Sequence, residues 1–189
     1  VNDSALPKIG LPRLEPAVII ERTLAVTKIY GDQMLTSVLK HLRDVFAGIE
    51  PLPDVLAHGS FALKDLLVDE AGEVIVWLGW QNAALADPRW DMAALTGDVR
   101  GSYQMPALAD SALHDYESQS GRKLDAMLHW EALLAGLRWA ESAWLKALIK
   151  KKAAPQFPAL EHIAADADSR CAWTMECLNA AEGIDEDFW

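Results

Sequence analysis

Basic side chains are scarce in this sequence: 17 Lys and Arg stand against 28 Asp and Glu, a formal charge of −11. Nucleic-acid phosphates are bound by clustered cations, so this balance argues against DNA or RNA as the main partner. It suits a cationic ligand, or simply a well-solvated acidic surface. The one basic run, Lys150-Lys151-Lys152, follows a long helical pattern, where cations favour the C-terminal end of the dipole. Long apolar runs are missing too. No window approaches ~18 uninterrupted apolar residues, so no membrane span is expected. Val1-Asn2-Asp3-Ser4 has neither the basic start nor the apolar stretch of a secretory leader, and a cytoplasmic location is the default expectation. Cysteine is limited to Cys171 and Cys177. Six residues apart in one predicted helix, they lie about 240° apart around its axis. Neither a bridge nor a shared metal is expected of them, and both read as reduced thiols. Internal repeats and low-complexity tracts are absent.

What is present is enough for a packed core. The chain has 189 residues, 51% of them hydrophobic, which suits one domain of ordinary size. Residues 1–16 carry Pro7, Pro12 and Pro16 with little periodicity and read as an extended arm; residues 17–189 read as a single, mainly helical domain. The spacing of Ile19, Val26, Ile29 and Tyr30 favours a helix over 17–30. Met34, Leu35, Val38, Leu39, Leu42, Val45 and Phe46 predict a second, with Asp32 placed to cap it. Gly48, Pro51 and Pro53 end it. A short buried strand is expected at 55–57, then a hairpin of Leu66–Val68 and Val74–Leu78 around Asp69-Glu70-Ala71-Gly72. No strand is expected from residue 89 onward. Helices are expected at 90–95, 109–119, 125–150 and 159–180, with a loop at 98–107. The stripe of Met127, Trp130, Leu134, Leu137, Leu145 and Leu148, widened by Leu133, Ala140 and Trp144, predicts a largely buried central helix. The class is α+β, predominantly helical.

Three segments then carry a pattern. They are His58-Gly59-Ser60 leading to Leu66-Leu67-Val68-Asp69; Leu78-Gly79-Trp80-Gln81-Asn82-Ala83; and Ala86-Asp87-Pro88-Arg89-Trp90-Asp91-Met92-Ala93. In this order they resemble the aminoglycoside phosphotransferase and choline-kinase-like family, which reads H-G-D-x-x-x-x-N, then D-W-E-x-A, then G-D-P-x-x-D-L-A. Asp115-Tyr116, Ser120-Gly121-Arg122, Trp130-Glu131-Ala132-Leu133 and Leu137-Arg138-Trp139-Ala140 resemble the helical part of that family's C-terminal lobe. The likeness covers roughly residues 32–150. It implies a protein-kinase-like C-terminal lobe with a small β-hairpin.

The same resemblance places the catalytic base at Ser60, the loop Asn at Asp65, the metal-binding Asp at Gly79 and the acidic residue after it at Gln81. Phosphoryl transfer of this kind needs a carboxylate to take the hydroxyl proton, and an Asn and an Asp to hold Mg²⁺ on the triphosphate. A serine hydroxyl is too weak a base near neutral pH. Gly79 has no side-chain ligand, and Asp65 alone would hold Mg²⁺ weakly. The fold-supporting positions match instead: Gly59 for the turn, Asp87 and Asp91 behind the loop, and His58 as a packed, hydrogen-bonded histidine. By resemblance, Asp91 would accept hydrogen bonds from the loop backbone. The family's five-stranded nucleotide lobe, with its Gly-containing phosphate loop and its Lys–Glu pair, has no evident counterpart. Only 57 residues precede His58, and those from Asp32 are committed to helix. The remainder is short for five strands of ~5–6 residues with their turns.

The expectation is therefore a non-catalytic remnant of a small-molecule kinase, lacking the N-terminal nucleotide lobe and acting by protein or small-molecule binding. No cofactor is expected. Self-association, or a protein partner on the face the missing lobe would cover, is expected, with Trp77, Trp80 and Trp90 nearby, although each Trp taken alone reads more simply as core. A small hydroxylated or cationic ligand is a further option, with Glu117, Asp125, Glu131 and Glu141 as charges that otherwise read as solvent-facing. The alternative is an aminoglycoside- or choline-type phosphotransferase with atypical site residues, using Mg²⁺ and ATP through Asp65 and Asp69, its nucleotide lobe supplied by a partner chain.

Overall fold

A computed structural model of the chain describes residues 10–153 and 158–184. Where the sequence offers one mainly helical domain after the arm, these residues group into two compact units. One joins the arm, ending at Glu15, to Glu50–Met127; the other joins Pro16–Ile49 to the chain from Leu128 on.

The second unit is all helix. Helix α1 (Pro16–Tyr30) starts on a proline, whose fixed φ suits a first helical position. Asp32 then accepts from the Leu35 N–H at 2.9 Å and opens α2 (Gln33–Phe46). Leu35, Val38, Leu39 and Leu42 are buried along one side of α2, the i, i+3, i+4, i+7 stripe of an amphipathic helix. Helix α5 (Met127–Lys150) is the long helix that the stripe predicts, and buries Trp130, Leu133, Trp139, Ala140 and Leu145, but Trp144, read as part of the stripe, is 41% exposed. Trp130 meets Phe46 edge-on at 5.0 Å. A Cβ added at Gly136 would lie 3.6 Å from Thr174 and 3.7 Å from Leu42, so α5 runs close to α2 and to α7. The Tyr30 hydroxyl donates to the Ala140 carbonyl at 3.1 Å, and burial pushes its pKa up to about 12.

The predicted helix over 159–180 is two helices, α6 (Pro158–Ala165) and α7 (Ala167–Glu182). At Asp166 the backbone (φ −75°, ψ −3°) opens, and its carbonyl accepts from Arg170 N–H and the Ser169 hydroxyl. Apolar spacing continues across that break, so periodicity alone does not reveal it. Cys171 and Cys177 both lie on α7, and neither is in a disulfide.

The C-terminal end of α7 holds a titratable group of three. Glu182 bonds His41 of α2, and His129 of α5 stands 4.0 Å from the same oxygen. Burial pushes the His129 imidazole below its ordinary 6.5; Glu182 pulls it upward and His41 adds to the depression. The folded state thus prefers neutral His129. Stability is complete above about pH 6.5 and falls as the pH drops through the lowered value. The loss of melting temperature between neutral and mildly acidic pH is expected to shrink in His129→Asn; an unchanged loss would place the sensitive group elsewhere.

The first unit carries the strands. In the arm, β1 (Arg13–Leu14) pairs parallel with β5 (Ala84–Ala86), and β2 (Val55–Ala57) pairs antiparallel with β5 on its other side. Arg13 Nε bonds Asp54 at 2.6 Å and ties the arm down. Strand β5 is absent from the sequence reading, because three residues of Ala and Leu show no alternation to detect. Strands β3 (Leu66–Val68) and β4 (Val74–Trp77) form the expected hairpin. After β5 come α3 (Arg89–Gly97), one π-helical turn at Asp98–Ser102, and α4 (Pro106–Ser120). Much of the predicted 98–107 loop is therefore helical, with Pro106 at the α4 start. Gly121, at φ +66°, ends α4. Among the described residues, no helix is long and apolar enough to cross a membrane.

Candidate functional site

The loop after β2 is held by its backbone. Asp91, in the first turn of α3, accepts from the His58 N–H at 2.5 Å and the Gly59 N–H at 3.0 Å. Trp90 Nε1 donates to the Gly59 carbonyl at 3.1 Å. Gly59 has φ +83°, and a Cβ there would lie 2.1 Å from the Asn82 carbonyl oxygen. No other residue fits that position without moving the chain. His58 is buried, and its Nε2–H donates to the Leu78 carbonyl at 2.6 Å. Its Nδ1 is buried and finds no partner among the described residues. The ring sits in an aromatic group with Trp80 at 5.1 Å and Phe61 at 5.9 Å.

Ser60 is exposed, and its hydroxyl accepts from the Asn82 side-chain amide at 3.0 Å. That contact orients the hydroxyl without activating it, since an amide takes no proton. Asp65 ends a short 3₁₀ turn, Leu63–Asp65, before β3. Gly79 has φ +84°, and a Cβ there would lie 3.3 Å from the His58 ring and 3.5 Å from the Asp65 carboxyl carbon. His58, Asp65 and Gly79 therefore converge on one point, but only Asp65 presents an anionic oxygen. Asp69 does not join it. Its carboxylate accepts from the Ala71 and Glu73 N–H groups, both at 2.9 Å, and is used by the hairpin turn. Among the described residues, no three His, Cys, Asp or Glu side chains are grouped to hold a metal ion. These donors do not fit the Mg²⁺ site that the family pattern implies, since one carboxylate stands where two ligands are needed.

Behind the loop lies a polar cluster that includes a residue the sequence reading passes over. Arg89 is 1% exposed. Its Nε and Nη2 take both oxygens of Asp87 at 2.9 and 2.7 Å, Nη1 reaches Asp125 at 2.9 Å, and Nη2 also donates to the Glu50 carbonyl at 2.7 Å. Asp87 further accepts the Leu52 N–H at 2.8 Å, so this cluster ties the segment before β2 to the start of α3. The spacing Asp87-Pro88-Arg89 is the only sequence signal for it, and it is a weak one.

The four candidate charges for a ligand have separate surroundings. Glu117 accepts the Leu124 N–H at 2.7 Å, which holds its carboxyl below the ordinary range. Asp125 serves Arg89. Glu131 is buried, contrary to the solvent-facing reading, and Glu141 is exposed. The first two belong to one unit and the last two to the other. Trp90, expected near an open face, is core, whereas Trp77 and Trp80 are about half exposed. A pocket of about 520 Å³ opens beside the loop. Leu11, Pro12 and Leu14 of the arm wall it on one side and Trp80–Ala83 on the other, and among the described residues its lining carries no charged side chain.

No protein-family model and no curated protein matches the sequence. The architecture does have a counterpart. A crystal structure of a candidate aminoglycoside phosphotransferase from Ralstonia eutropha superposes with a TM-score of 0.75 at 16% identity, over 98% of this chain. The fold is that of the kinase-like phosphotransferases. At such low identity the likeness concerns the fold alone. This chain spans 61% of that neighbour's length.

Proposed function

We propose that this chain descends from the aminoglycoside phosphotransferase and choline-kinase-like family and acts by binding rather than by phosphoryl transfer. The observation that carries the reading is position 79. Where the family pattern has a metal-binding Asp, this chain has a glycine in the left-handed region, with the His58 ring 3.3 Å from where a Cβ would be. A side chain there is strained twice over, by φ and by contact, so the local geometry is built for the glycine. Ser60 at the base position supports the same reading, because its hydroxyl is held by an amide and has no proton acceptor of useful strength.

Calorimetric titration with ATP and Mg²⁺ tests this directly. No metal-dependent heat is expected at millimolar nucleotide. The triple change Ser60→Asp, Asp65→Asn, Gly79→Asp is expected to transfer no phosphate to aminoglycosides or choline. Tight Mg²⁺-dependent ATP binding by the unaltered chain would overturn the reading in favour of a phosphotransferase with an atypical metal site built on Asp65.

A further inference from the structure

We propose that the pocket between the arm and the Trp80–Asn82 turn binds an uncharged, planar carboxamide, that is, an aromatic ring system bearing an amide group. The proposal names a ligand class for the binding role above and rests on that reading for its purpose, not for its physics.

Both walls of the pocket are set by hydrogen bonds within the protein. On the arm side, the Pro12 carbonyl accepts from the Leu85 N–H at 2.8 Å, and Leu14 pairs with Ala86 in the parallel β1–β5 ladder. On the other side, the short 3₁₀ turn Trp80–Asn82 is closed by the Ala83 N–H, which donates to the Trp80 carbonyl at 3.0 Å. The Trp80 indole N–H donates to the Trp77 carbonyl at 2.9 Å, and its ring stands against the His58 ring. The Asn82 side-chain amide is held by the Ser60 hydroxyl. Walls fixed in advance lose little binding energy to ordering. The volume of about 520 Å³ falls within the ~300–1,000 Å³ usual for small-molecule sites.

The lining selects the ligand. Leu11, Pro12, Leu14 and Trp80 supply apolar surface. The Trp80 N–H is already used, so its indole offers stacking area rather than a donor. The polar part is a pair of adjacent carboxamides, Gln81 and Asn82. Each carries an acceptor oxygen and a donor nitrogen. A ligand amide presents the same two groups in reverse and can be met by both. A carboxylate has only acceptors and an amidinium only donors.

Charge points the same way. Among the described residues no ionised side chain lines the pocket. Arg13 sits between Pro12 and Leu14, yet its guanidinium is taken by Asp54 at 2.6 Å. A phosphate or a polycation would therefore lose water there without meeting a counter-charge, at a cost. The net charge of −11 disfavours anions further. It draws cations at long range, but no carboxylate in the lining receives one.

The test is a nuclear magnetic resonance titration of the whole chain with benzamide, benzoate and benzamidine. These share one ring and are neutral, anionic and cationic near neutral pH. Benzamide at millimolar concentration is expected to shift the side-chain amide signals of Gln81 and Asn82 and the indole signal of Trp80. It should bind about tenfold more tightly than either charged analogue, the worth of roughly one hydrogen bond. Gln81→Glu changes an exposed side chain and places a carboxylate in the lining. That variant is expected to reverse the order and bind benzamidine about tenfold more tightly than the parent does. Shifts confined to other residues, no shift with benzamide, or a charged analogue binding the parent as well as benzamide would each overturn the proposal. So would an order that Gln81→Glu leaves unchanged; the parent titration decides the matter without any variant. Calorimetry with Mg²⁺-ATP tests binding against phosphoryl transfer and is indifferent to benzamide, so the two readings fail separately.

Discussion

Replacing Arg89 by methionine is expected to destabilise the protein by about 3–5 kcal/mol, a large part of the ~5–15 kcal/mol that holds a typical domain. The cost does not come from lost volume, which methionine largely restores. It comes from Asp87, 5% exposed, whose two oxygens are both held by the Arg89 fork. Without the guanidinium a carboxylate is left buried with only backbone N–H groups from Leu52 and Arg89 to solvate it. Breaking one side of a buried pair costs far more than the intact pair contributes. The pairing with Asp125 is different in kind. That carboxylate is 80% exposed, so Asp125→Ala should change stability by under ~1 kcal/mol. Urea unfolding of Arg89→Met, of Asp87→Asn and of the double variant separates these terms. The double variant is expected to recover part of the loss, since Asn keeps an acceptor and drops the charge. A loss under ~1 kcal/mol for Arg89→Met would mean that Asp87 is solvated well enough to need no partner.

The helices were largely legible because they announce themselves by period. Asp32 followed by Leu35, Val38, Leu39 and Leu42 is a cap and a stripe, and both are present in the structure. The hairpin was legible for a related reason: an Asp-to-Gly turn separates two short apolar runs. What stayed hidden depends on partners far away in sequence. Strand β5 is Ala84-Leu85-Ala86, too short to alternate, and it exists because β1 and β2 pair with it on either side. Arg89 looks like a surface residue until Asp87, Asp125 and Glu50 are brought around it. At the candidate site, the motif order suggested which residues share a loop, and the substitutions at 60 and 79 were visible as letters. The sequence could not say that Gly79 has a left-handed φ that favours glycine, or that it packs against the His58 ring. Nor could it say that Asp69 is spent on a turn, or that Trp90 is core while Trp77 and Trp80 stay half exposed. Those are facts of packing, which no local pattern carries.

Asp91→Ala is expected to cost about 2–4 kcal/mol, because it strands two loop amides at once and each unpaired buried donor costs ~1–3 kcal/mol. Both amides, of His58 and Gly59, belong to the turn that sets Ser60, His58 and the Gly79 contact, so the loss should be felt first there. Hydrogen exchange at residues 57–61 is the local readout, and the urea midpoint the global one. The pH dependence separates acceptor geometry from charge. Burial holds the Asp91 carboxyl above its ordinary 3.8, against the opposing pull of the two N–H groups. A raised folded pKa means the folded state binds this proton more tightly than the unfolded one. Its contribution therefore grows as pH falls towards that value and declines as pH rises through it. The gap between the parent and Asp91→Ala is expected to hold or widen between neutral pH and the raised pKa. If the gap closes on acidification, the negative charge of Asp91 holds the loop; if it holds or widens, the two accepted hydrogen bonds do.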